Sequence, residues 1–590
     1  EGVITSAVLK GRSNYLCLKR WSYLSKGETL SQDEARLIGK TAIWLQETTS
    51  GDRGEINISG RDTTTWAKIS AADKGWCSGL RESGVCFLKS SREKAEQAHI
   101  IVVNHALLLS DVMHGGSLIP DYQHLIIDEA HNLEDEATSQ FGFHVTPERL
   151  SEVIEQQGRL ITNTTAHLVS ANASQAVRQN GESAFSTVAS LTPHLRELWA
   201  QMWVQAERFL DTQQQNNNND QSSLLIEPRL RATQSWLELR LLWENVDVGL
   251  SQQITALSQL QGFLEGIKLG EPGDSDGLAM ESLTLQDEIN KLKHQLELIL
   301  SEQDESQIIW MNRDQFNSQI GMHVAPLQVG KTLETELFAK KDSVVLTSAT
   351  LSTQGTFNYV KSRLGLPDDI EELLVGSPFD YRKAASLMIP EDMPQPNADG
   401  YVGALSRVFL DLGLYMEGHT MGLFTSYSAL RSVAQRVRSD LSAEGIQVLA
   451  QGVDGSPQQL TRRFIENPKS VLLGTSSFWE GVDFPDGVLK SLVLTRLPFQ
   501  VPNDPIVKSR SEQYADPFNE YSVPQAVLRF RQGIGRLIRR KGDKGSIVIL
   551  DRRVTGRTYG KAFLDSIPSC TLTPCSVSTI GQLSAEWIQN

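Results

Sequence analysis

Two carboxylates follow an apolar run at Leu125-Ile126-Ile127-Asp128-Glu129-Ala130-His131. An acid at the carboxyl end of a buried strand suits the holding of magnesium on a nucleotide's phosphates, and a second beside it suits the orienting or deprotonation of the attacking water. Asp128 is the candidate magnesium residue and Glu129 the candidate general base, with His131 beside them. The same pair could cap a strand end or open a helix; the strand before it and the Ala-His after it favour the chemistry. A second cluster, Gln532-Gly533-Ile534-Gly535-Arg536-Leu537-Ile538-Arg539-Arg540, spaces Gln532, Gly535, Arg536 and Arg539 so that a helix would bring them near one face. Two guanidinium groups presented together make a positive fork for the charge that develops in phosphoryl transfer. A solvated basic helix is the plainer alternative. The glycines weigh against it, because they cost helix stability and mark close backbone approach.

Two further stretches are suggestive by position. Gly474-Thr475-Ser476-Ser477-Phe478-Trp479-Glu480-Gly481-Val482-Asp483 follows the apolar run Val471-Leu472-Leu473. A polar loop at a strand's carboxyl end suits nucleotide sensing, which makes Gly474, Glu480 and Asp483, with Gly535, candidate nucleotide-binding residues. Thr347-Ser348-Ala349-Thr350 sets three hydroxyls at another strand end, where they either link lobes through hydrogen bonds or start a helix.

These groups need a scaffold of strands. From Lys341 onward, short apolar runs alternate with helical patterns: Ser343–Leu346, Met421–Phe424, Val471–Leu473, Leu492–Leu494 and Ser546–Leu550. That alternation predicts a parallel sheet flanked by helices. Between about Thr146 and Leu327 the chain reads as mainly helical, with Leu285, Ile289, Leu292, Leu296 and Ile299 at helical spacing. Inside it, Gln213-Gln214-Gln215-Asn216-Asn217-Asn218-Asn219 predicts a disordered loop, and the breakers from Gly270 to Gly277 a further connection.

A chain of 590 residues should divide into several domains. Its 56 basic residues against 71 acidic ones, a net charge of −15, exclude a protein that coats nucleic acid by bulk charge, though not one with a local basic channel. No apolar run is long enough to cross a bilayer, so no membrane partner is expected. The start at Glu1 lacks a secretory signal and reads as a fragment beginning inside a domain. Five cysteines are too few for a disulfide scaffold and favour a reducing, cytoplasmic setting.

The order of the boxes is more specific than any one of them. Asp-Glu-Ala-His, then Thr-Ser-Ala-Thr, then Phe424-Thr425-Ser426-Tyr427, then the Gly-Thr to Gly-Val-Asp run, then Gln-x-x-Gly-Arg-x-x-Arg resembles motifs II to VI of superfamily 2 helicases. Leu9 to Cys17, Phe478 to Asp483, Leu497-Pro498-Phe499 and Leu550-Asp551-Arg552-Arg553 resemble the DinG branch of the XPD-like, iron–sulfur type. The resemblance implies two RecA-like parallel-sheet α/β lobes, with an iron–sulfur-type insertion and a helical arch in the first. It divides the chain into residues 1–145 (partial first lobe, insertion at about 17–105), 146–327 (arch, with the disordered loop near 213–223), 328–355 (end of the first lobe) and 356–590 (second lobe).

It further implies an ATP- and Mg2+-dependent DNA helicase of repair or replication. The expected enzyme is a monomer, associated with the nucleoid, moving 5′ to 3′ on single-stranded or forked DNA. Arg12, Tyr15, Asn104 and His105 in the first lobe, and Ser426 and Tyr427 in the second, are the candidates for nucleic-acid contact. Cys17, Cys77 and Cys86 match three of the four thiolates of a 4Fe–4S cluster, and the fourth is missing. No Gly-x-x-x-x-Gly-Lys-Ser/Thr loop occurs; Gly330-Lys331-Thr332 lacks the first glycine. The fragment is accordingly expected to bind ATP poorly without that segment. Alternative readings are a nucleic-acid-stimulated ATPase that remodels protein–DNA complexes, a non-catalytic DNA-binding scaffold, or an RNA helicase.

Overall fold

A computed structural model describes residues 4–25, 30–56, 58, 60–72, 86–216, 223–267, 274–301, 304–314, 318–353, 355–479, 484–485 and 487–589. The chain folds as two compact units, residues 1–125 with 133–343 and residues 126–132 with 344–590. The acidic box, early in the sequence, therefore belongs with the C-terminal half.

In the first unit, β1 (Ser6–Val8) pairs in parallel with β2 (Ile100–Val102). Alternate side chains of this pair stand in solvent: Val8 is 60% exposed, Ile100 51% and Val102 50%. Helices Leu18–Ser25, Gln32–Trp44 and Gly60–Ile69 surround a small apolar core of Tyr15, Leu16, Cys17, Leu37, Trp44 and Trp66. The helix Gln32–Trp44 starts in a reciprocal cap, Ser31 accepting from Glu34 N–H and Glu34 from Ser31 N–H. Asp62, fully buried on the next helix, is held by Arg36 and Lys40 at 2.6 and 2.9 Å, as a buried carboxylate requires.

Four long helices, Glu148–Ser170, Gln175–Asn216, Gln234–Gly266 and Asp274–Leu300, form the largest core of this unit. Leu285, Ile289, Leu292, Leu296 and Ile299 all point into it, as their spacing predicted. The glutamines at 213–215 continue the second helix rather than forming a loop, because glutamine is a fair helix former and Phe209 and Leu210 anchor the turn before them. Residues 217–222 and 268–273, where much of the expected loop and the first half of the second connection fall, lie outside the described residues; its second half, Asp274 to Gly277, is instead the first turn of the helix Asp274–Leu300.

The region is also less purely helical than its sequence reads. An antiparallel sheet of β4 (Phe143–Val145), β7 (Ile320–Pro326), β6 (Gln307–Arg313) and β5 (Ser223–Leu225) lies against the helices, its Ile309, Met311, Met322 and Val324 in their core. On it His144, His323 and Trp310 stand opposite one another across three strands. Their rings stack at 5.6 and 5.1 Å. Burial and the neighbouring His144 pull His323 down to about 4.

The strands β3 (His124–Ile127) and β8 (Ser343–Leu346) pair with each other, and both run into the second unit. That unit is built on a seven-stranded sheet in the order β11-β12-β10-β13-β14-β9-β15. The strands are β9 (Ala385–Met388), β10 (Thr420–Leu423), β11 (Gln447–Ala450), β12 (Ser470–Gly474), β13 (Ser491–Leu494), β14 (Gly545–Ile549) and β15 (Thr571–Thr573). Every pairing is parallel. Two separate apolar clusters cover its two faces, which is why the central strands are buried at every position rather than alternating. The expected strands fall within a residue of those seen. Parallel pairing brings Ser426, Gln451, Thr475, Thr495 and Asp551 to one edge, the carboxyl ends of the strands, where ligands of open α/β sheets bind.

Candidate functional site

The acidic box leaves β3 through two backbone bonds: Thr347 N–H donates to Ile127 O at 2.9 Å and Ala130 N–H to Thr347 O at 3.0 Å. Between them Glu129 takes a left-handed backbone, φ 50°. For a residue with a Cβ this costs about 1–2 kcal/mol. The turn turns the 60% exposed Glu129 carboxylate towards its neighbours: Oε2 lies 3.3 Å from His131 Nδ1 and accepts from Ser348 Oγ at 3.4 Å. His131 Nδ1, on a buried ring, lies 2.6 Å from Ser348 Oγ. Ser348 Oγ also accepts from Thr350 N–H at 3.1 Å. Asp128 Oδ1 accepts from Glu129 N–H at 2.9 Å, and the residue is exposed.

The basic cluster departs from its expected form. The helix Val523–Ile534 ends at Gly535, so Arg536 and Arg539 lie past its end and share no helical face. Two glycines in three positions give the last turn little helix propensity. Arg536 is buried, its Nε and Nη2 donating to Trp479 O at 3.2 and 2.7 Å. Arg539 is exposed, and its N–H and that of Arg540 both donate to Asp543 Oδ2 at 2.9 Å. Gln532 Nε2 donates to Thr350 Oγ1 at 3.4 Å, while its Oε1 is buried with no hydrogen-bond partner among the described residues. Arg531, which the sequence reading passed over, donates from Nη1 to Ser352 O at 2.6 Å. Burial pulls the Arg531 guanidinium below its ordinary value. Thus the stretch from Thr347 to Ser352 touches the acidic box at one end and the Arg531-Gln532 turn at the other. Beside Arg536 lies a cavity of about 570 Å³ whose walls include Lys490, Arg539, Arg540 and Lys544, cationic lining suited to a phosphate-bearing ligand.

At the carboxyl edge of the sheet, Ser426 caps the helix Tyr427–Ala443, its Oγ accepting from Ala429 N–H at 3.4 Å. Tyr427 is 45% exposed and its hydroxyl accepts from Gln451 Nε2 at 3.0 Å. Gln451 had no sequence signal beyond being the polar residue after an apolar strand. Gly474 is packed so tightly that a Cβ would lie 2.3 Å from the Phe478 side chain, so only glycine fits there.

In the first unit, Tyr15 must be corrected: it is 2% exposed, with its hydroxyl accepting from Lys10 N–H at 3.0 Å, and so offers no ring face to a base. Arg12 Nε donates to Ala71 O at 3.1 Å. Asn104 is exposed and caps the helix His105–Met113, accepting from Leu107 N–H at 3.0 Å, with His105 half-buried after it. Cys17 and Cys86 pack in the same apolar core. Cys77, Glu480 and Asp483 lie outside the described residues. Among the described residues no three metal-ligating side chains converge, and two thiols do not make the four-thiolate set of a 4Fe–4S cluster.

Comparison with known proteins agrees with the order of the boxes. The model of the helicase C-terminal domain matches residues 411–570 and that of the DEAD_2 family residues 75–150. The chain is 29% identical to the 3′-5′ exonuclease DinG of Bacillus subtilis over 98% of its own length and 63% of that protein's, so it spans less than two thirds of that relative. It is 30% identical to the ATP-dependent DNA helicase DinG of Photobacterium profundum, covering 85% of this chain and 72% of the other. A solved XPD helicase structure superposes with a TM-score of 0.51 at 14% identity, over 97% of this chain and 87% of that one, which shows a shared fold. No helix among the described residues is long and apolar enough to cross a membrane. Carrying boxes II to VI in order on a parallel α/β scaffold, the chain belongs to the DinG family of XPD-like superfamily 2 helicases.

Proposed function

We propose that this chain carries the motor of an ATP-dependent DNA helicase, in which hydrolysis at the Asp128–Glu129 box drives 5′ to 3′ movement on single-stranded or forked DNA. One observation carries the reading: the Thr347–Ser352 stretch binds the acidic box through Ser348 and the Arg531-Gln532 turn through Thr350 and Ser352. Glu129 accepts a proton from the attacking water, with Ser348 and His131 holding its Oε2. Arg536, steadied on the Trp479 carbonyl, and exposed Arg539 supply positive charge as the γ-phosphoryl leaves. Asp128 would hold Mg2+, which neutralises phosphate charge when bound. Gly474 at the end of β12, Glu480 and Asp483 after it, and Gly535 are the proposed nucleotide-binding residues. Arg12, Asn104 and His105 in the first lobe, and Ser426 and Tyr427 in the second, are the proposed contacts for single-stranded DNA. No step runs through an iron–sulfur cluster, whose three matching cysteines leave the ligand set short; iron content and visible absorption of the purified protein test it. The setting is the bacterial nucleoid and the working form a monomer.

The test is ATP hydrolysis by the natural polypeptide that carries this chain, with and without single-stranded DNA. Glu129→Gln should lower the DNA-stimulated rate by about 10²–10⁴ while leaving the melting temperature in place. A wild type that hydrolyses no ATP with DNA present would overturn the motor reading. Strand separation on a forked duplex then distinguishes a helicase from an ATPase that only strips bound protein.

A further inference from the structure

Gln451 sits just past β11, 6% exposed, and every hydrogen-bonding position of its amide is used. Oε1 accepts from Thr475 N–H at 2.7 Å and from Thr475 Oγ1 at 3.1 Å. Nε2 donates to Tyr427 Oη at 3.0 Å and Ser477 Oγ at 2.7 Å. One side chain thus joins the carboxyl ends of three neighbouring strands, β10, β11 and β12. The connection continues on both sides. Tyr427 is an aromatic of this edge that is 45% exposed, which leaves part of its ring open for a base to stack on. Ser477 lies in the short helix Ser476–Trp479, and the carbonyl of Trp479 is the one that receives both Nε and Nη2 of Arg536. The Trp479 ring in turn is fixed by its Nε1 donating to Phe424 O at 3.2 Å and by Gly533, where a Cβ would lie 2.9 Å from it.

We propose that Gln451 is a positioning residue that couples DNA on Tyr427 to the setting of Arg536. A buried, fully bonded amide cannot yield at one end without breaking a bond or moving the other end, because an unpaired polar atom there is costly. A base stacked on Tyr427 fixes the tyrosine hydroxyl, the hydroxyl fixes Gln451, and Gln451 fixes the Thr475–Trp479 turn on which Arg536 rests. The inference rests on the motor reading above and adds a residue that touches neither substrate nor DNA.

Three variants of the natural polypeptide test it, with two readouts: the ratio of DNA-saturated to DNA-free ATP hydrolysis, and the single-stranded DNA concentration giving half-maximal stimulation. Gln451→Leu removes all four bonds and should lower the ratio about ten-fold, with half-maximal stimulation within about two-fold of wild type. Tyr427→Phe deletes one hydroxyl at an exposed position and should lower the ratio several-fold in the same way, deciding the matter if Gln451→Leu does not fold. Gln451→Glu keeps the acceptor for Thr475, and the Tyr427 and Ser477 hydroxyls can turn to donate; it should recover most of the ratio. A wild-type ratio in Tyr427→Phe overturns the proposal. So does an equal fall of both rates in all variants, which is a purely structural effect, or a loss that saturating DNA restores, which is a binding effect. A wild type without DNA-stimulated hydrolysis overturns the motor reading itself, and this inference with it.

Discussion

Glu129 keeps a left-handed backbone only because its surroundings impose it: the Ala130 to Thr347 bond on one side and the Ser348–His131 pair on the other. Ser348→Ala removes the hydroxyl that both His131 and the Glu129 carboxylate use. The expected result is a five- to ten-fold fall, roughly one hydrogen bond, in DNA-saturated ATP turnover, measured beside a melting curve that stays close to wild type. Asp128, Glu129 and His131 were legible because an apolar strand ending in two acids is a local pattern. Ser348 as their partner was not, being 217 residues from His131. Gln451 gave still less, since its importance lies in four contacts and not in its neighbours in sequence. Tyr15 shows the converse error. The resemblance put it among the nucleic-acid contacts, but residue type does not encode burial, and this ring fills a core.

Among the elements, the end of the Val523–Ile534 helix separates packing glycines from capping ones. Gly533→Ala drives a Cβ to 2.9 Å from the Trp479 ring, and should destabilise the second unit by about 1–3 kcal/mol in thermal unfolding. Gly535→Ala meets nothing closer than a carbonyl oxygen at 3.4 Å and has φ −60°, so it should unfold close to wild type. Equal losses from the two would contradict the packing account. The antiparallel sheet carries a pH dependence of definite sign. His323 sits at about 4 against an ordinary 6.5, so above 6.5 both folded and unfolded chains are neutral there and nothing changes. As pH falls from 6.5 towards 4, the unfolded chain takes up a proton that the stacked ring between His144 and Trp310 refuses, and stability declines; below about 4 the loss saturates. His323→Phe should flatten that decline in melting temperatures measured across the same range. Of the seven parallel strands, β10, β12, β13 and β14 could be read from the sequence because burial on both faces makes short continuous apolar runs; β9, β11 and β15 were missed. Of the antiparallel sheet's strands, β5 is three residues long and β6 and β7 sit among helical stretches of like hydrophobicity, so no period announced them.

At the scale of the whole chain, alternation of α/β and helical character in the sequence anticipated both kinds of core. It did not anticipate that residues 126–132 would fold with residues 344–590, because a seven-residue segment has no composition of its own to show where it belongs. The net charge of −15 spread over this surface keeps copies of the chain apart at low salt. The β1–β2 pair works against that dispersion. Parallel strands are ordinarily covered on both faces, yet Val8, Ile100 and Val102 stand half or more in water on what is, among the described residues, a two-stranded ribbon. The result is colloidal. Salt that screens the like charges, and sulfate above all, which strengthens apolar contact, should turn a clear solution of this polypeptide into growing clusters, visible as rising light scattering while the helical signal stays constant. Replacing Val8 and Val102 by threonine keeps the strand shape and should move the onset to higher sulfate, so that side chains with no part in catalysis would bear on the shelf life of a stock.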